Sequence, residues 1–366
     1  MDSVAARLEE LARAGSAALF PEIVEPMCDS FEAADCDRYA ELFVPVIARA
    51  LPDAEPRRAR PAGRFAGAEP SDVFVLSRVT LGADVAVTSV VLDAAMLRFP
   101  AARVHLVGPR KNWELFAGNP RVLHAVVEYG RGAGLVDRLE AGLSVREVVD
   151  RPGAIVIDPD SRLTQLGLIP VTGDDRYFFW ESRSYGGDGA EPLGKLAARW
   201  MGEVFGVDDA YPFVAPAVEG PEGRVCVSLG VGGNAAKRVA DPFERDLMSG
   251  IAAAGLPVLV DHGAGGEESE RVSRAVEGLI GIEEWRGAFA PFAAAIARAR
   301  LYVGYDSAGQ HVAAAAGVHG VTVFTGYPNE RFLRRWTPWG RGPAARVVAR
   351  RPFLEGALAA VRSALG

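Results

Sequence analysis

A chain of 366 residues, 49% hydrophobic and 24% charged, reads as soluble and globular, with room for two domains. The net charge of −7 and a pI near 5.5 argue against a nucleic-acid partner, which calls for a basic face. Three cysteines without a Cys-x-x-Cys, and few histidines, point to neither a disulfide framework nor a zinc site.

The start, "MDSVAARLEE", is acidic and lacks the apolar core of a signal peptide. No apolar run approaches the ~18 residues of a membrane helix, so the expected location is the cytoplasm and no transmembrane segment is expected. "VAARLEELARAG" and "RYAELFVPVIARAL" repeat apolar residues at three-and-four spacing and predict helices within the first 50 residues. Residues 51–71 are rich in Pro, Gly and charge, a linker or an irregular wrap. Strands and helices then alternate: "DVFVLS" a buried strand, "DVAVTSVVLDAAMLRFP" a helix, "RVHLVG" and "AIVIDP" strands, then a glycine-rich loop and a long helix within "ESRSYGGDGAEPLGKLAARWMGEVFG". A second Pro/Gly-rich stretch, 206–223, reads as the interdomain crossing. Alternation resumes with "RVCVSL", a helix within "KRVADPFERDLMSGIAAAG", "LPVLVD", the helix "APFAAAIARAR", "LYVGYD" and "VTVFTG". Repeated βα units with short links imply parallel sheets wrapped by helices. The predicted fold class is α/β, two Rossmann-like domains facing across a cleft. The predicted divisions are a helical extension and linker (1–71), an N-terminal domain (72–205), a linker (206–223), a C-terminal domain (224–345) and a C-terminal helix (346–366).

In open α/β sheets ligands bind beyond the carboxyl ends of strands, and the joint "YDSAGQH" (305–311) is such an end. A helix starting near Ser307 offers free N–H groups and a positive dipole end, a seat for a diphosphate. Asp306 repels phosphate but suits a sugar hydroxyl, and His311 stands one turn into the helix. The plain alternative is a capping Asp and a packed histidine. "LGVGGNAAKRV" (229–239) follows a strand; Gly230, Gly232 and Gly233 permit close backbone approach, and Lys237, one of only three lysines, brings a point charge to an anion. Parsed instead as a dinucleotide fingerprint, the loop needs an acid about 20 residues on, and the next strand-end acid, Asp261, comes too late. Asp84 follows a strand and starts a helix, where a capping role is common. Asp158-x-Asp160 could hold a metal on a diphosphate, but Asp-Pro after a strand reads first as a turn. In "HGAGGEESE" (262–270), Glu267 suits a ribose or the surface, while His105, His124 and His319 read as structural. There is no nucleophile elbow, H-E-x-x-H or Walker loop.

These motifs together resemble glycosyltransferase family 9, the ADP-heptose:lipopolysaccharide heptosyltransferase family with the GT-B fold. The family's N-terminal pattern is matched by Arg78, Asp84, Phe99 and Pro100, its glycine-rich loop by "GVGGNAAKRV", its Gly-Ala-x-x-Glu segment by "GAGGE", and its Asp-Ser/Thr-Gly-x-x-His motif by "DSAGQH". The resemblance covers about residues 72–345. It implies Asp84 as catalytic base, and Gly232, Gly233, Lys237, Glu267, Asp306, Ser307, Ala308, Gly309 and His311 as donor residues. Ala83 and Ala308 stand where the family has glycine, and residues before 71 have no counterpart in it.

The expected activity is an inverting, metal-independent transfer of a heptose or related hexose to an acceptor hydroxyl. The donor is a nucleotide-diphosphate sugar, ADP-linked by the resemblance, and no other cofactor is expected. The acceptor is a small molecule, glycan or glycolipid, with no nucleic-acid partner. Two competing readings are an NAD(P)-dependent oxidoreductase built on Gly230 and Gly232, and a sugar-nucleotide-binding pseudoenzyme signalled by Ala83 and Ala308.

Overall fold

The computed structural model describes residues 3–130, 132–232, 234–263 and 265–366. Its contacts divide the chain into two compact units, one running up to Trp113 and including Pro120–Ala210, the other Glu114–Asn119 and Tyr211–Gly366.

The first unit begins with helices α1 (Ser3–Arg13), α2 (Glu25–Asp29) and α3 (Ala33–Ala50). A Rossmann-like alternation follows: β1 (Asp72–Leu76), α4 (Leu81–Ala83), a π-turn over Asp84–Thr88, α5 (Ser89–Arg98), β2 (Arg103–Gly108), α6 (Arg110–Trp113), β3 (Val122–Val126), α7 (Leu135–Val149), β4 (Ala154–Asp158), β5 (Tyr177–Phe179) and α8 (Leu193–Phe205). The sheet order is β3-β2-β1-β4-β5 and the pairs are parallel, with Val73 opposite both Val104 and Ile155. Strand β1 is buried at every position, as expected of a parallel strand covered on both faces, and this is why its sequence is a continuous apolar run rather than an alternation.

The N-terminal helices do not stand apart from this unit. Leu8, Leu11, Phe20, Tyr39, Phe43 and Ile47 share one apolar cluster with Leu135, Leu139, Leu166 and Ile169. The Pro-rich stretch after α3 is a wrap rather than a free linker: Arg57 and Ala59 donate backbone hydrogen bonds to Leu168 and Gly167, and Phe65 donates to Val204.

The second unit holds β6 (Val225–Ser228), α9 (Phe243–Ala252), β7 (Val258–Asp261), α10 (Gly266–Val276), β8 (Ile282–Trp285), α11 (Phe289–Ala297), β9 (Leu301–Tyr305), α12 (Ala308–Ala315), β10 (Gly320–Val323), α13 (Glu330–Arg335), β11 (Arg346–Val348) and α14 (Phe353–Leu365). Its sheet order is β11-β10-β9-β6-β7-β8, again with parallel pairs. Alternate residues of β6, β9 and β10 (Val225, Val227, Leu301, Val303, Val321 and Val323) pack on Leu247 and Ile251 of α9 and Val361 of α14. The chain order reverses between β6 and β9, whose carboxyl ends carry the glycine-rich loop and the Asp306 joint. Among the described residues no helix is long and apolar enough to cross a membrane.

Candidate functional site

In the second unit, the loop after β6 ends in a short 3-10 turn over Ala235–Lys237, capped by Asn234, whose Oδ1 accepts from Ala236 N at 3.1 Å. That turn delivers Lys237 to the end of β9, where Nζ lies 2.6 Å from Asp306 Oδ2. Gln310 donates through Nε2 to the other carboxylate oxygen of Asp306 at 2.6 Å and to His311 Nε2 at 3.3 Å. Both oxygens of Asp306 are therefore engaged, one by a cation and one by an amide. His311 is buried, and that burial pushes its pKa down to about 4, against the pull of Asp306; the imidazole is neutral at pH 7.

Ser307 is the N-cap residue of α12, but its side chain does not cap the helix; its Oγ lies 3.3 Å from the Tyr302 hydroxyl. The first N–H groups of α12 thus have no side-chain cap from Ser307, and a lysine lies next to them. Gly309 is required by space: a Cβ there would lie 2.5 Å from the Tyr302 hydroxyl. Ala308 and Ala83 are not among the residues at positive φ, and Ala83 has φ −69. Neither departure from glycine strains the backbone, so the backbone gives no reason for reading them as signs of a dead site.

The glycine-rich loop is anchored from below. Buried Glu244 pairs with Arg238 at 2.9 Å and with Arg271, and accepts from the Tyr305 hydroxyl at 3.0 Å. Arg271 in turn donates to the Leu229 carbonyl at 2.9 Å. Glu268 accepts from Val231 N at 2.9 Å, and a Cβ on Gly230 or Gly263 would collide with its carboxylate. Glu267, by contrast, is exposed on the first turn of α10. Sequence reasoning singled out Glu267; the glutamate turned toward the loop is its neighbour. Gly232 has φ +61, in the left-handed region that favours glycine. Gly233 lies outside the described residues, as does Ala264 of the "GAGGE" segment.

An aromatic wall completes this region and was not anticipated. The Phe332 ring centroid is 5.8 Å from Lys237 Nζ, and Trp336 meets the His311 ring edge-on at 6.0 Å. The available signal was the aromatic density of "RFLRRWTPW" just after the last strand read from the sequence.

In the first unit, Asp84 opens the π-turn between α4 and α5. Such turns recur at functional sites. Its carboxylate is fully buried and accepts four hydrogen bonds: Arg78 N (2.7 Å) and Thr88 Oγ1 (2.6 Å) on Oδ1, Ser77 Oγ (2.6 Å) and Asn112 Nδ2 (2.6 Å) on Oδ2. Burial raises its pKa above the ordinary carboxylate value, while the four donors pull it down. The loop leading to it is held out of its relaxed shape: Val79, β-branched and buried, has φ +58, a position costly for such a residue. Arg78 reaches across to the Pro159 carbonyl and to Ser182 Oγ, 2.9 Å away.

Asp158 and Asp160 turn to protein donors rather than into an open ligand set. Asp158 accepts from Ser161 N, Thr164 Oγ1 and the Tyr177 hydroxyl, each at 2.6 Å, and burial raises its pKa to about 6. Asp160 opposes burial with the Arg183 and Arg78 guanidinium groups, which hold its pKa below the usual value. Among the described residues no group of three His, Cys, Asp or Glu side chains is arranged to hold a metal ion. His105 pairs with Asp72 at 2.9 Å, and His124 stacks on Trp113 at 4.9 Å; neither is among the donors to Asp84.

No protein-family model matches the chain, and no curated protein matches it either. Solved structures do. The E. coli heptosyltransferase WaaC, determined with ADP, is similar at TM-score 0.57 and 16% identity, over 80% of this chain and 98% of that one. The E. coli ADP-heptose lipopolysaccharide heptosyltransferase II is similar at TM-score 0.53 and 16% identity, over 80% and 98%. A family 9 glycosyltransferase from Veillonella parvula is similar at TM-score 0.52 and 17% identity, over 76% and 85%. The chain has the fold of these glycosyltransferases: two parallel α/β sheets, each flanked by helices, spanning nearly the whole length of the enzymes it matches.

Proposed function

We propose that the protein is a glycosyltransferase that moves a sugar from a nucleotide-diphosphate donor, an ADP-sugar by its resemblance to the heptosyltransferases, to an acceptor hydroxyl. The observation that carries this reading is the meeting of Lys237 with Asp306 at 2.6 Å, beside the uncapped start of α12. A cation and a helix N-terminus stabilise a departing nucleoside diphosphate, while a carboxylate fixed at the same point orients sugar hydroxyls. In this reading the domain spanning about 224–345 holds the donor and the domain spanning about 72–205 the acceptor, within a cytoplasmic enzyme.

The step is a single displacement. Asp84 takes the proton of the acceptor hydroxyl, the oxygen attacks the anomeric carbon, and the carbon–phosphate oxygen bond breaks with inversion. The electrons leave on the diphosphate, whose charge Lys237 and the α12 N–H groups absorb without a metal. A thermal-shift panel of ADP-, UDP-, GDP- and dTDP-sugars identifies the nucleotide, and release of the matching diphosphate in the presence of candidate acceptors tests transfer. If none of the nucleotides raises the melting temperature, the donor reading fails.

One observation favours a second reading, a nucleotide-sugar binder without transfer: Asp84 is enclosed by four donors and has no exposed surface. Turnover with any acceptor eliminates it.

A further inference from the structure

Past the carboxyl ends of β4 and β5, three side chains carry N–H donors that meet no acceptor among the described residues. Arg183 is buried and uses Nε on Asp160 (2.9 Å) and Nη2 on the Leu166 carbonyl (3.3 Å), but its buried Nη1 has no partner. Gln165 is buried and its Nε2 has none. Arg162, half-buried on the turn after β4, makes no side-chain hydrogen bond or ion pair among the described residues; its electrostatic neighbours are Cys28, Asp29, Tyr39 and Tyr129. Tyr39 of α3 is the common neighbour of all three. Its ring lies 5.2 Å from the Arg183 guanidinium, and its hydroxyl donates to the Gln165 carbonyl at 3.4 Å.

Buried donors are nearly always satisfied, and a buried guanidinium without an acceptor is more costly than a neutral group. The turn that presents them is itself strained: Asp160, Gln165 and Leu166, none of them glycine, have φ of 65, 48 and 60. Strain of this kind persists where the surrounding structure holds a functional arrangement in place.

We propose that Arg162, Arg183 and Gln165 form a binding site for an anionic group, a carboxylate or a phosphate, roofed by Tyr39 and Cys28 of the N-terminal helices. The anion supplies the acceptors that the protein lacks, in the fork geometry that guanidinium groups match. The site gives the N-terminal helices a role: they close one side of the ligand edge of the first sheet, so they set which anions enter. It stands in the first unit and does not depend on the donor reading of Lys237.

The test is the melting temperature of the full chain in inorganic phosphate, glucose 6-phosphate, glucuronate and glucose, each against chloride at matched ionic strength. Each tenfold excess of a bound anion over its Kd adds roughly 3–6 °C for a unit of this size. The wild type and Lys237→Ala gain this shift; Arg162→Gln loses it, because it removes one of the guanidinium groups that hold the anion, and its melting temperature in chloride shows that it folds. A shift with inorganic phosphate marks a free anion, and a shift only with glucose 6-phosphate or glucuronate marks an anionic group carried on an acceptor; either supports the site. No anion-specific shift in wild type, a shift retained in Arg162→Gln, or a shift abolished by Lys237→Ala each overturns it.

Discussion

Lys237 and Asp306, 69 positions apart, meet at 2.6 Å although each belongs to a different loop. A lone lysine facing diphosphate would be a simple anion seat; a lysine already shared with a carboxylate discriminates. Lys237→Ala removes the cation and leaves the Asp306 charge facing the incoming phosphates. Calorimetry should show ADP weakened roughly tenfold or more and adenosine little changed, a charge-assisted contact being worth about 1.5–3 kcal/mol. Equal losses for both ligands would move Lys237 off the phosphates.

Asp306→Asn should act in the opposite direction on bare diphosphate. It removes a like charge and frees the lysine, so ADP should bind several-fold tighter while the preference for one ADP-sugar over another narrows. Weaker ADP binding in this variant would mean that Asp306 positions the lysine rather than competing for it.

The strands that carry these residues were legible because parallel strands buried on both faces are unbroken apolar runs, as in "DVFVL" and "LYVGY". Strands at the sheet edges were not. β8 reads "IEEW", with charges at two of four positions, and does not stand out as a core segment, while β3 showed only as an apolar strand-like run around His124, without a place in the strand order. Lys237, Asp306 and His311 were legible as types at strand ends, and their convergence follows from β6 and β9 being adjacent. The enclosure of Asp84 was not legible. Ser77, Thr88 and Asn112 are ordinary residues in sequence, and only the folded loop turns all of them onto one carboxylate.

Ala308, which stands at the glycine of the last motif, and Gly309 beside it should respond differently. Gly309→Ala places a Cβ 2.5 Å from the Tyr302 hydroxyl, and overpacking of this kind costs about 1–3 kcal/mol; the melting temperature and ADP affinity should both fall. Ala308→Gly relieves no strain, since Ala308 has no positive φ, so it should cost up to about 1 kcal/mol in stability and leave nucleotide affinity unchanged. A gain in affinity for Ala308→Gly would show that the alanine narrows the donor seat.

His311 makes stability pH-dependent with a definite sign. Its pKa in the fold is about 4, below the ~6.5 of an exposed histidine, so between these values the unfolded chain binds the extra proton. Its contribution is complete above pH ~6.5 and is lost as pH falls toward 4, by about 3 kcal/mol in all. Asp158 and Asp261, raised to about 6 by burial, act with the opposite sign but are common to wild type and variant. Denaturant titrations should therefore show His311→Gln losing less stability than wild type between pH 7 and pH 4.5. Parallel losses would mean that His311 is already charged in the fold.

Chelation should leave transfer intact, because Lys237 and the α12 N–H groups are proposed to take the place of a cation. Activity in EDTA, compared with added magnesium or manganese, decides this. A strict requirement would point to Asp158 and Asp160, whose present donors would have to release them.

Asp84→Asn separates the catalytic from the structural account of the first unit. An amide replaces one accepting oxygen with a donor, so it cannot face all four present donors unchanged. Asn112 offers the way out: its Oδ1 is buried without a partner among the described residues, and rotating its amide lets it accept from the side-chain N–H that the substitution introduces. Ser77 can likewise turn its hydroxyl from donor to acceptor. The variant should fold with a loss of about 1–3 kcal/mol and keep its ADP affinity. Transfer should fall ~10²–10⁴-fold, the range for a lost general base. The pH profile gives the second reading. Burial raises the pKa of Asp84, and only the ionised form accepts a proton, so wild-type kcat/KM should climb with pH through that ionisation, and the residual activity of Asp84→Asn should lack the same limb. Near-normal turnover with a lowered melting temperature would make Asp84 a tie between β1 and its following helix, and would place the general base on another residue.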